Sequence, residues 1–136
     1  MSSQKTNEFS NQISDFLKFI KETQQNYNGN REEVHRLDKL TQDYLHILEL
    51  EGLNYKKRAK ISTKLSLCRK SRRLSKDYVE IAEPLIMFLD SEKGKGLINM
   101  LKDILGKTRR IEDRMETRTY KYKILDHEVD YECKSN

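Results

Sequence analysis

The chain has 136 residues, 36% of them Asp, Glu, Lys or Arg, and a formal net charge of +5. Leu, Ile, Val and Phe supply 33 residues, about a quarter, which is lean for one ordinary domain but richer than a disordered chain. One Pro and five Gly argue against a turn-rich sheet, and no stretch approaches the roughly 18 to 20 apolar residues of a membrane span or the apolar run of a signal peptide, so a soluble intracellular protein is expected.

The spacing of Ile13, Phe16, Leu17 and Ile20, with Ser10 as N-cap, predicts a first amphipathic helix over 10–26. Asn28, Gly29 and Asn30 are turn formers and are expected to end it. A second helix over 31–51 follows from Val34, Leu37, Leu40, Tyr44, Leu45 and Leu48, with Glu32 and Glu33 in a first turn that favours acids and Gly52 as a stop. Asn54 then opens the longest pattern. At about 100° per residue, Ile61, Leu65, Cys68, Ser75, Val79, Ala82 and Ile86 fall on one stripe, and Leu67, Leu74, Tyr78, Ile81, Leu85 and Phe88 on a second beside it. Two stripes call for two sets of neighbours. Pro84 removes a backbone donor, so a kink or restart is expected within this helix over 54–90.

After SEKGKG, read as a break, a fourth helix over 97–118 carries Leu97, Ile98, Leu101, Ile104, Leu105, Ile111 and Met115. The fold class is therefore all-α, an antiparallel helical bundle around the long helix 54–90. Its flanking helices are too short to cover it singly, and the apolar surface left over is expected to join a second copy as a homodimer. Tyr120, Tyr122 and Ile124 alternate as a short C-terminal extended arm. Residues 1–125 read as one helical domain and 126–136 as an acidic tail.

Charge is unevenly spread: net −3 over residues 1–53, +8 over 54–80, −1 over 81–101, +4 over 102–123 and −3 over 124–136. In RKSRRLSK, Arg69 stands four residues from Arg73 and Arg72 four from Lys76, like-charge spacings that disfavour an isolated helix. Arg73 with Asp77 and Lys76 with Glu80 are the expected relief. Arg110, Arg114 and Arg118 form a second ladder, offset by Asp113 alone. Arg72 projects close to the centre of the first apolar stripe, where an isolated solvated arginine is out of place.

Three readings of these residues stay open. The ladders are solvated, or pair with acids on neighbouring helices and the tail. They bind phosphates, with Tyr120 and Tyr122, interleaved with Lys121 and Lys123, stacking on nucleic-acid bases. Or they dock an acidic protein surface. The candidate partner- or phosphate-binding set is Arg69, Lys70, Arg72, Arg73, Lys76, Arg110, Arg114, Arg118, Tyr120 and Tyr122.

Nothing in the sequence points to catalysis, a metal or a cofactor. Cys68 and Cys133 lack zinc or disulfide-framework spacing, His35 and His46 are eleven residues apart on one helix, and His127 sits in an acidic tail. SEKGKG lacks the length and the Lys-Ser/Thr ending of a phosphate loop.

The stretches QDYLHILELEGLNYKKRAK, RRLSKDYVEIAEPLIMFL and RTYKYKIL resemble a loosely defined group of small, highly charged helical accessory proteins of phages and prophages of Gram-positive bacteria. The resemblance covers roughly residues 40–125. It rests on the residues before ELEGLNY, the Arg72-Arg73 pair followed by Lys76-Asp77, the Pro84-Leu85 step and the Arg118-Thr119-Tyr120 end. It implies a non-enzymatic interaction protein in the cytoplasm of a bacterial host cell, binding host or phage machinery and including inhibitors of defence systems such as CRISPR effectors. It brings no catalytic site. The tail after Leu125 falls outside the matched pattern.

Overall fold

The structure is a computed structural model that describes residues 7–119 and 122–124. Among these residues there are three helices and no strand: α1 (Glu8–Leu50), α2 (Tyr55–Asp90) and α3 (Glu92–Thr117). The all-α bundle is as the sequence predicts. At 1.5 Å per residue the helices are about 64, 54 and 39 Å long.

The turn expected at Asn28-Gly29-Asn30 does not occur, and the two helices expected on either side of it are one. The reason lies in the seam. The 4-3 stepping of Phe9, Ile13, Phe16 and Ile20 continues through Thr23, Tyr27, Asn30, Val34 and Leu37 without a change of phase, so a single uninterrupted helix keeps the face from Ile20 to Leu37 toward α2, across the expected turn. No residue there adopts positive φ. The Asn30 amide instead donates to the Asn26 carbonyl at 2.7 Å, and the Arg31 guanidinium lies 5.7 Å over the Tyr27 ring. Tightly available turn chemistry loses to continuous packing.

Glu51–Leu53 reverses the chain, and Asn54 caps α2 by accepting the Lys57 N–H at 2.9 Å. α2 then runs back along α1 and continues unbroken through Pro84, which is exposed. Cys68, Ser75, Ala82 and Leu89, seven residues apart, are all buried, as a coiled-coil seam requires. Thr41 lies opposite Cys68, 3.4 Å between Oγ1 and Sγ, and Ile20 packs with Ala82, Ile86 and Leu89. α2 therefore ends opposite Ile20.

A single residue joins α2 to α3. Ser91 closes one helix and caps the next, its hydroxyl donating to the Phe88 carbonyl and accepting the Gly94 N–H at 3.1 Å. Gly94 is buried in this joint: a Cβ there would overlap the Phe88 carbonyl oxygen and sit 2.7 Å from Leu89 Cα. This corrects the reading of SEKGKG as a break. Helix α3 starts at Glu92, not near 97, because a serine cap, an acid in the first turn and a glycine where the helices touch allow an immediate restart.

α3 packs antiparallel on the N-terminal part of α1. Ile98 joins the Ile20 cluster at one end, and the Ser10 hydroxyl lies 2.9 Å from Glu112 Oε2 at the other. α2 and α3 thus follow one another along α1, which is the longest element in place of the helix over 54–90. Of the expected C-terminal arm, Tyr122 to Ile124 are non-helical; Tyr120, Lys121 and the acidic tail lie outside the described residues.

Candidate functional site

Seen end-on, α2 has three sides. The first faces α1 and holds Cys68, Ser75, Ala82, Ile86 and Leu89. On the helical wheel Arg69, Arg73 and Lys76 centre about 130° from that side, and Lys70 lies beside them. The third side carries Leu67, Leu74, Ile81 and Phe88, all exposed.

Arg72 belongs to the first side. Its side chain is 19% exposed, and its Nε donates to Asp38 Oδ1 on α1. The arginine that projects into the apolar stripe is thus supplied with an acid from within the chain, and its aliphatic stem fills the seam. Asp38 was not identifiable from sequence, because finding it requires the α1–α2 register.

The remaining three of the first cluster are not so supplied. Arg69, Lys70 and Arg73 are exposed, and with Ser66 and Arg72 they line a shallow depression on the outside of α2. The expected relief does not form: the ion pairs among the described residues are Lys18–Glu22, Arg36–Glu33 and Arg72–Asp38, and neither Arg73–Asp77 nor Lys76–Glu80 is one of them. Arg36 shows what a satisfied surface arginine looks like, with two hydrogen bonds to Glu33 at 2.6 and 2.9 Å that hold that carboxyl below its usual pKa. Among the described residues nothing comparable reaches Arg69 or Arg73.

Arg110 and Arg114 are exposed on α3, Arg114 in the last turn where the helix dipole favours a cation, and the exposed Arg118 is the extended residue that follows the helix. The structure does not merge the two ladders. Arg72 is level with Asp38 and Glu112 with Ser10, 28 residues apart on α1, which separates the basic sets by about 42 Å. Tyr122 is about half exposed, and Tyr120 lies outside the described residues.

Among the described residues no three His, Cys, Asp or Glu side chains are grouped to hold a metal ion, and no helix is long and apolar enough to cross a membrane. No family model matches the chain, and comparison with curated proteins and with solved structures gave no match. The likeness to phage accessory proteins therefore stands on the quoted residues alone.

Proposed function

We propose that this is a non-enzymatic, phage-type interaction protein that docks an acidic macromolecular surface on the outer basic face of α2. Arg69, Lys70 and Arg73 are its contact residues, with Lys76 at the margin and Arg72 serving the fold. The observation that carries the reading is the contrast within one cluster: Arg72 has an internal acid, and its three neighbours project outward together with no ion pair among the described residues. Like charges held side by side destabilise the free helix, and a complementary surface relieves that cost on binding. A protein of a host defence or nucleic-acid-processing machine is the preferred partner class, since the acidic end segments oppose non-specific wrapping on DNA.

The alternative is direct DNA or RNA binding through the same face, favoured by the exposed Tyr122 beside Lys123. Titrating random-sequence DNA and RNA across a salt series separates the two. Steeply salt-dependent affinity supports phosphate contacts, and no binding at low salt excludes them. For the protein-partner reading, Arg69→Glu/Arg73→Glu is expected to abolish capture of the partner from host extract with the circular dichroism unchanged. Intact capture by that variant means the basic face is merely solvated.

A further inference from the structure

The third side of α2 is an unused coiled-coil seam. Leu67, Leu74, Ile81 and Phe88 recur at seven-residue intervals, with Tyr78 and Leu85 between them, and centre about 100° from the side that faces α1. Leu74 and Ile81 are 73% and 79% exposed, so nothing in the chain's described residues covers the middle of this seam. A strict heptad on a face away from the helix's only long partner specifies a second partner helix.

The helix's own charge says which helix fits. Residues 55–73 carry nine positive charges and no negative one, whereas 74–90 carry one positive and four negative. A parallel copy would align the two basic halves. An antiparallel copy lays each basic half on the other's acidic half, and we infer that α2 pairs antiparallel with α2 of a second copy of this chain, about a two-fold axis at Leu74. In this register Leu74 meets Leu74, Leu67 meets Ile81 of the second copy, and Lys70 comes within one residue of the level of Asp77 of the second copy, twice along one rim. Sliding by one heptad, so that Leu74 meets Ile81, moves the axis to between Asp77 and Tyr78, brings the two copies' Asp77 side by side and is disfavoured.

The overlap, Lys60 to Phe88, is about 43 Å of helix some 10 to 12 Å wide, or roughly 450 to 500 Å² of footprint per copy. A standard interface covers about 800 Å² per partner, so the pair is a weak, micromolar-range dimer in which the rim charges matter. The two-fold also brings both copies' Arg69 and Arg73 onto one face. The inference does not rest on the proposed partner binding, since Leu74 lies outside the basic face; of the residues the pairing uses, Lys70 alone also belongs to that face.

Sedimentation equilibrium of the full chain from about 10 to 300 µM is expected to show monomer and dimer. Leu74→Asp should leave only monomer, with unchanged helicity. Lys70→Glu and Asp77→Lys singly should each weaken the dimer about tenfold, and the double exchange, which recreates both rim pairs with reversed sign, should restore it. A wild-type monomer throughout the range overturns the pairing. So does a dimer that survives Leu74→Asp and is dissociated by Ile104→Asp on α3. Failure of the double exchange to restore association overturns the antiparallel register.

Discussion

Gly29 and Gly94 both lie in helical backbone, yet replacing each by alanine should act with opposite sign. At Gly29 an added Cβ meets no atom within 4 Å, so Gly29→Ala gains only the backbone entropy and helix propensity of alanine, about 0.5 to 1 kcal/mol. At Gly94 the same propensity gain is available, but the Cβ overlaps the Phe88 carbonyl oxygen and stands 2.7 and 2.8 Å from Leu89 Cα and Phe88 C. All three are backbone atoms and cannot rotate aside. The joint must open, which removes the Ser91 cap, about 0.5 to 2 kcal/mol, and loosens Leu89 in the junction core, about 0.8 to 1.5 kcal/mol more if half its burial is lost. The net for Gly94→Ala is a loss of about 0.5 to 3 kcal/mol. Urea unfolding followed at 222 nm measures both, at a concentration where the chain is monomeric. Stabilisation by Gly94→Ala would refute the one-residue joint, and destabilisation by Gly29→Ala would mean that α1 does break at Asn28-Gly29-Asn30.

Further substitutions probe the polar contacts across the seams. Asp38→Ala leaves Arg72 in the seam without its acid and should cost about 1 kcal/mol, below the usual range for a charged hydrogen bond because Asp38 is half exposed and solvent-screened, whereas Arg72→Leu should stay within about 1 kcal/mol of wild type. Arg72→Leu is also expected to leave partner capture intact, and its loss there would put Arg72 back among the contact residues. Ser10→Ala removes the hydrogen-bond partner of the buried Glu112, whose Oε1 has none, and should cost about 1.5 to 3 kcal/mol; Ser10→Ala/Glu112→Met should cost less than Ser10→Ala, and an additive loss in the unfolding cycle would contradict this. In a Cys133→Ser background the buried Cys68 thiol should react with a thiol reagent at least about 100-fold more slowly than in urea, limited by opening of the α1–α2 seam, and reaction at the denatured rate would show that seam to be open.

Heptad arithmetic made α2 legible from Asn54 to Asp90, because its stripe, its cap and the absence of internal glycine all agree. α1 was misread for the opposite reason: the turn formers at Asn28 to Asn30 are a strong local signal, and the weaker one, that Ile20, Thr23, Tyr27, Asn30 and Val34 keep phase, runs through polar residues that hydropathy discounts. Gly94 was misplaced in a loop because only the close approach of two helices explains a glycine in a first helical turn. On the site, the oddity of Arg72 was visible in the sequence, and its explanation, Asp38, was not. That Arg69, Lys70 and Arg73 remain outward could not be decided without knowing which acids the fold brings near them.

The architecture itself explains why so much charge and so much apolar surface coexist. With α2 and α3 laid end to end along α1, most cross-sections contain two helices, and two helices bury one seam each. Among the described residues six apolar side chains are buried while eighteen large hydrophobic ones are exposed. Phe9 and Phe16 are bare because α2 stops opposite Ile20 and α3 packs on a different side of α1; Leu67, Leu74 and Ile81 are bare because, among the described residues, α2 has only α1 along its length. Raising the chain's hydrophobic content would not bury these faces. Only added helices would, and α2 already carries, in one segment, both the apolar repeat and the reversal of charge that a copy of itself requires.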